Sequence, residues 1–280
     1  MARIYKPRPF SSKLDRAHPL SKGLIFATLF DGAVPVDAVT GYASTPANAP
    51  QTSAVGEPGY GAGASFPASG TAHHVFSGYT SDVGWLGDLS VFVRGVCSNL
   101  AHYNEVLFKN PNNGLSANPI ELRITAGSGV ITVIRPNATG GANDETDAGV
   151  ITAGVVQDWG TVCPGVNGLP QVNYANGVAF TGTTTAQAPY GGSNFPVWIG
   201  LRADGFGSFE GVLLCVYVWS RKLSSSEMLW LHREPYAIWR PKIDTPLFSV
   251  SAAVAGGAVF RKTLSAVGTR TGSRQVQGGM

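Results

Sequence analysis

The stretch Phe209–Trp239, FEGVLLCVYVWSRKLSSSEMLWLHREPYAIW, decides the fold. Its first part alternates at period two. Phe209, Leu213, Cys215, Tyr217 and Trp219 fall on one face, and Val212, Leu214, Val216 and Val218 on the other. Apolar residues on both faces predict a strand covered on both sides and central in its sheet. Arg221 and Lys222 then lead away from the sheet. Ser224 with Glu227 three residues on forms a capping box, and Leu223 with Met228 forms the hydrophobic staple. Pro235 disfavours helical backbone at Glu234, so the helix is about two and a half turns long. PYAIWRP follows as an extended exit.

Working outward, the remaining chain reads as short strands separated by turn signals. Strand patterns fall at Leu24–Phe30, Gly61–Phe66, His74–Phe76, Leu89–Cys97, Val106–Lys109, Ile120–Thr125, Val130–Ile134, Val150–Val156, Trp159–Cys163, Gln171–Tyr174 and Val197–Leu201. Gly61–Phe66 and His74–Phe76 suit a hairpin-like pair around Gly70. Asn113-Gly114, Gly127-Ser128-Gly129, Asn167-Gly168 and Asn176-Gly177 are the turn signals. Pro136–Asp147 reads as a polar loop. Charged residues make up only 13% of the chain and Gly 36 of 280 residues, a balance that favours strands and tight turns over helices. The expected fold is all-β: a jelly-roll-like sandwich of two antiparallel sheets with one short C-terminal helix.

The net charge of +3 conceals a segregation. Residues 1–22 carry six basic residues against one acid, residues 241–280 five against one, and residues 23–240 nine against fifteen. The division is therefore an extended basic N-terminal arm (1–22), a sandwich (23–240) and a linker with an extended basic tail (241–280). Pro7, Pro9 and Pro19 favour an extended path for the arm, with Tyr5 and Phe10 as apolar anchors. Basic ends on an acidic body suit arms that lie on acidic surfaces of neighbours, copies of the same body among them. The basic residues lack the dense run expected of a nucleic-acid partner. Cys97, Cys163 and Cys215 are widely spaced with no CxxC, which predicts buried thiols and fits assembly in a reducing cytoplasm. The apolar run Val212–Trp219 is too short to span a bilayer, and MARIYKPRPF has no signal-peptide pattern.

No catalytic constellation emerges. Glu105, Glu121 and Glu210 stand alone in their strands, without the two or three acids on one strand that glycoside hydrolysis employs. There is no G-x-S-x-G and no Cys/His pairing. Gly59, Gly61 and Gly63 precede neither a helix nor a Lys, so they form no phosphate loop. The chain reads as non-enzymatic and without a cofactor. His73 and His74, adjacent on a strand, point to opposite faces and cannot readily share a metal. In the acidic run Asn143–Asp147, Asp144, Glu145 and Asp147 are the calcium candidates. A solvated loop is the commoner outcome for such a run. Asp31 and Asp37 are weaker candidates. Tyr79, Trp85, Tyr190 and Phe206 fall in loops, where stacking on sugars would be possible.

Two stretches carry a resemblance. A last core strand followed by L-S-x-x-E-M on a short helix resembles the close of concanavalin A-like (laminin G-like) sandwiches, and WGTVCPGVNGLPQVNYANG resembles a hairpin region of the same domains. REPYAIWRP (Arg233–Pro241), together with HPLSKGLIFATLF (His18–Phe30), resembles structural proteins of tailed bacteriophages. TLSAVGTRTGS in the tail is similar to segments appended to such proteins. The resemblance implies a virion protein, foremost a capsid decoration (cement) protein on the phage head, assembled in the host bacterial cytoplasm. Its partners would be the major capsid protein and further copies of itself, as in trimers. The implied contacts are Arg3, Tyr5, Lys6, Arg8 and Phe10 in the arm, with Phe260, Arg261, Lys262, Arg270 and Arg274 in the tail. The alternative is a tail or fibre component that binds host-surface glycan through the sandwich loops.

Overall fold

A computed structural model describes residues 12–30, 34–48, 51–54, 62–67, 72–79, 84–109, 120–137, 140–145, 150–166, 169–185, 196–202 and 207–241, all within one compact unit. In chain order the strands are β1 (Ser12–Leu14), β2 (Leu24–Leu29), β3 (Thr45–Ala47), β4 (Gln51–Ala54), β5 (Ala62–Phe66), β6 (His73–Phe76), β7 (Leu89–Cys97), β8 (Asn104–Lys109) and β9 (Ile120–Thr125). They continue with β10 (Val130–Asn137), β11 (Gly140–Glu145), β12 (Val156–Cys163), β13 (Pro170–Ala175), β14 (Val178–Thr185), β15 (Val197–Ile199), β16 (Gly211–Trp219) and β17 (Trp239–Pro241). One helix, α1 (Ser225–Arg233), and a single 3₁₀ turn, Pro19–Ser21, complete the described elements.

Two antiparallel sheets form the sandwich. One has the order β11-β10-β9-β8-β15-β6-β3, the other β14-β13-β12-β7-β16-β5-β4. The organising strand β16 is central, as its two apolar faces require. It pairs with β7 along one edge, while its other edge is shared between β5, at Gly211–Leu213, and β2, at Cys215–Trp219. Leu213, Val216 and Val218 enter the core between the sheets with Phe26, Phe66, Val91, Val93, Leu122, Val133, Trp159 and Ile199. Cys215, Tyr217 and Trp219 face outward into a second apolar cluster beneath α1.

This corrects the strict alternation expected for the strand. The β16–β7 register shifts between Leu213 and Cys215, so one extra residue turns Leu213 and Phe209 to the face opposite Cys215. Gly95 accommodates the irregularity: a Cβ there would lie 2.4 Å from the Val212 carbonyl oxygen.

Several local expectations also change. β5 and β6 do not form a hairpin; they lie in different sheets, and residues 67–72 carry the chain between them. Val150–Val155 is irregular, and strand structure starts only at Val156. The Asn176-Gly177 turn takes φ of 51° and 75°, the left-handed pair of a tight hairpin, and leads into β14, a Thr-rich strand that the apolar pattern missed. Residues 12–22, counted with the extended arm, form β1 and the 3₁₀ turn. Pro19 stands at the start of that turn, where its fixed φ fits and its missing N–H is not needed. All three cysteines are buried and outside any disulfide.

Gly95→Ala should destabilise the protein by about 1–3 kcal/mol through overpacking against backbone, measured as a lower urea midpoint with an unchanged slope. A wild-type midpoint would contradict the close approach of β7 and β16.

Candidate interaction site

The outward face of β16 brings the two ends of the fold together. Tyr217 stacks on Phe92 at 5.9 Å and meets Trp219 edge-on at 6.0 Å. The Trp219 indole N–H donates to the Leu20 carbonyl at 2.5 Å, and the Trp239 indole N–H donates to the Tyr217 hydroxyl at 2.8 Å. Around them Leu14, Leu20, Leu223, Met228, Leu231, Tyr236 and Ile238 are buried. The helix that closes this layer is capped as its sequence predicts. Ser224 Oγ accepts from the Glu227 amide, Glu227 accepts from the Ser224 amide, and the staple residues Leu223 and Met228 are buried.

β1 and β17 form a two-stranded antiparallel ribbon in the register Ser12↔Pro241, Lys13↔Arg240 and Leu14↔Trp239. The Asp15 amide extends it by donating to the Ile238 carbonyl at 2.8 Å. Because Ser12 lies opposite Pro241, the chain enters and leaves the described fold side by side. The basic segments 1–11 and 242–280 therefore attach at one place.

After the ribbon, Arg16–Lys22 runs past the start of α1 and forms an open cleft of about 550 Å³ lined by Arg16, Ala17, His18, Pro19, Lys22, Arg221 and Glu227. Arg221 fixes one wall. Its Nε donates to the Lys22 carbonyl at 2.7 Å, and its two terminal nitrogens donate to Glu227 at 2.7 and 3.0 Å. Partial burial works to raise the Glu227 carboxyl, but Arg221 and the Ser224 amide override it and hold the group below the usual carboxylate range. Arg16 donates to the Val39 carbonyl at 2.9 Å and remains exposed, as does Lys22. His18 Nδ1 accepts from the Leu20 amide at 3.2 Å, which places the neutral ring's proton on Nε2. The His18 ring lies 4.9 Å from that of Trp230, which is 37% exposed.

A second charged cluster lies on the outer face of the seven-stranded sheet. Glu105 and Glu121, solitary in sequence, are brought together on β8 and β9, where Glu105 pairs in register with Arg123 and Phe108 with Glu121. Arg123 Nη1 is 2.9 Å from Glu121 and 3.9 Å from Glu105, and Arg202 is 3.7 Å from Glu121. Tyr103 and Phe108 cover the two guanidiniums. Both carboxylates are fully buried. Burial first, and the Glu121 carboxylate next, push Glu105 well above the usual carboxylate range against the pull of Arg123 and Arg202. This juxtaposition was invisible in sequence because it depends on which strands pair.

The other candidate residues divide clearly. Asp144 and Glu145 lie on strand β11, opposite Val133 and Thr132, and not in a loop. Asp147 lies outside the described residues, as do Asp31, Tyr190, Phe206, Asn113-Gly114, Asn167-Gly168, Gly59 and Gly61. The same holds for Arg3, Tyr5, Lys6, Arg8, Phe10, Phe260, Arg261, Lys262, Arg270 and Arg274.

Among the described residues, no three His, Cys, Asp or Glu side chains group as a metal site. Tyr79 and Trp85, expected in exposed loops, are core residues at 8% and 1% exposure. Tyr79 donates to Asp37 at 2.6 Å. Asp37 also accepts from the amides of Ala27, Val39 and Thr40 and is thereby occupied as a structural hub. His74 points inward, with Ser44 Oγ 3.1 Å from its Nδ1, whereas His73 stacks on Trp198 on the outer face. Burial holds His74 down at about 4.

No protein-family model matches the chain. No curated protein matches it either. Solved structures do. Domain 4 of AbnA, a GH43 extracellular arabinanase from Geobacillus stearothermophilus solved with arabinotriose, aligns with a TM-score of 0.53 at 13% identity over 79% of this chain and 99% of its own. Trypanosoma rangeli sialidase in complex with sialic acid aligns at 0.54 and 14% identity over 75% of this chain, which spans only 33% of the sialidase. The binding domain of botulinum neurotoxin DC in complex with SialylT aligns at 0.54 and 10% identity, over 76% of this chain and 52% of that one. At these identities the likeness is one of fold, a jelly-roll-like β-sandwich.

Glu105 generates a pH prediction. Its folded-state proton affinity is raised, so the folded state retains a proton that the unfolded chain loses above the ordinary carboxylate range. The associated stability is full in acid and lost as pH rises through the folded value. Glu105→Gln should therefore melt higher than wild type at pH 8, with the gap narrowing towards pH 4. A gap that widens in acid would contradict the assigned direction.

Proposed function

We propose that this chain is a non-catalytic protein of a tailed-phage particle that sits on the head as a capsid decoration (cement) protein. One observation carries the mechanism: the Ser12↔Pro241 pairing attaches both basic segments at one point of the body. Two cationic tethers from a common root can engage acidic surfaces on adjacent shell subunits, and the second contact benefits from the effective concentration set by the first. The sequence resemblance supports this reading from a second direction. The phage-like stretches His18–Phe30 and Arg233–Pro241 belong to a single packed layer, joined through Leu20, Leu24, Trp219, Tyr236 and Ile238. The non-catalytic reading is supported by the Glu105–Glu121 pair, which has the chemistry of an acid–base couple but is sealed from solvent and engaged by arginines.

A second reading has its own observation. The arabinanase domain, the sialidase and the neurotoxin binding domain that share this architecture were each solved with a bound saccharide or sialyl ligand. A tail or fibre component that binds host-surface glycan would use the same fold. Fold likeness alone carries this alternative.

Quantitative mass spectrometry of purified virions separates the two. The decoration reading predicts a copy number close to that of the major capsid protein, and a count far below it would move the protein off the shell. In the full chain, reversing Arg3, Lys6 and Arg8 to Glu should weaken binding to expanded capsids roughly tenfold at low salt. Unchanged binding would overturn the tether mechanism.

A further inference from the structure

We infer that the cleft between Arg16–Lys22 and the start of α1 is a binding site for an acidic sugar, a pyranose that carries a carboxylate. The inference rests on the glycan-binding reading and gives it a location and a ligand class. The side chains of the lining that keep free hydrogen-bonding capacity, Arg16, His18 and Lys22, are donors. Glu227 is the only acid in the lining, and the two terminal nitrogens of Arg221 and the Ser224 amide occupy it. Arg16 spends one nitrogen on Val39 and keeps its remaining N–H groups, while Lys22 is exposed. His18 has committed Nδ1 to the Leu20 amide, so its Nε2–H is a further donor. Three cationic side chains against one carboxylate leave the lining net positive, which favours an anion, and a planar carboxylate suits the forked guanidinium.

The size and walls narrow the class. A volume of about 550 Å³ falls in the range of small-molecule sites. Beyond the lining, at the rim, Trp230 stands one turn along α1 from Glu227, with its ring against the lining residue His18 and more than a third of its surface in solvent. An exposed indole offers an apolar face to the C–H side of a sugar ring, with the carboxylate directed to Arg16 and Lys22. The frame is rigid where it must be. Arg221 ties the Lys22 carbonyl to Glu227, and the Ser220 amide donates to the Gly23 carbonyl at 2.8 Å.

The test is titration of the full chain with glucuronate and with N-acetylneuraminate, read by calorimetry and saturation-transfer NMR, with glucose and N-acetylglucosamine as neutral controls. The expected result is binding of the acidic sugars with Kd in about the millimolar range and little of the neutral ones. Binding should weaken at high salt. Lys22→Glu, which retains the Arg16–Val39 contact, and Trp230→Ala should each lower affinity roughly tenfold, with melting temperatures near wild type. If the sugars bind but both variants bind equally well, this site is wrong while glycan binding stands. If no sugar binds, the glycan reading falls with it. Tighter binding of an oligoglutamate peptide than of either sugar would also overturn the assignment.

Discussion

The structure depends on the double burial of one strand. β16 supplies Leu213, Val216 and Val218 to the space between the sheets and Cys215, Tyr217 and Trp219 to the layer outside. An antiparallel sheet with one wet face would need polar residues at alternate positions. This strand has none between Val212 and Trp219, so its outer face must be covered. The cover comes from opposite ends of the chain: Leu14–Leu24 from the front, α1 and Tyr236–Trp239 from the back. The Trp219 indole joins them by reaching Leu20, 199 residues away in sequence. The hydrophobic demand of one strand thus fixes where both ends of the described fold are held.

The site follows from that demand. Once Leu14 and Leu20 are buried against Tyr217 and Trp219, the short segment between them must turn sharply. Asp15 and His18 satisfy its amides through their side chains, leaving Arg16 and Lys22 outside. Those cations then face the first turn of α1, where the capping box has already placed Glu227 beside Arg221. Neither the ribbon nor the cleft requires a dedicated element. Both are by-products of sealing one sheet face.

Much of this was legible in the sequence, and what was not has identifiable causes. The capping box, the staple, the stop before Pro235 and the centrality of β16 all rest on local spacing, and all are present. The bulge at Leu213–Cys215 was hidden because a run apolar on both faces looks the same in either register. The strand β14 was missed because its Thr, Gly and Ala content carries a weak hydrophobic period. Tyr79 and Trp85 sit in segments with turn-like composition, yet the core claims them. The Glu105–Glu121 juxtaposition and the Ser12↔Pro241 ribbon depend on pairings remote in sequence, which spacing does not encode. Basic ends on an acidic body were plain from composition, but their common root was not.

Hydrogen exchange at two protons tests this account most directly: the Trp219 indole N–H and the Asp15 amide, compared with the amides of Val216 and Val218. Both are bonded across the closure, to Leu20 and Ile238 respectively. If the covering layer is part of the same cooperative unit as the sheet, both protons should exchange only through global unfolding, at the rate of the central strand. Exchange of both at the rate of an exposed peptide, while Val216 and Val218 stay protected, would contradict the claim that burial of β16 holds the two ends of the described fold together.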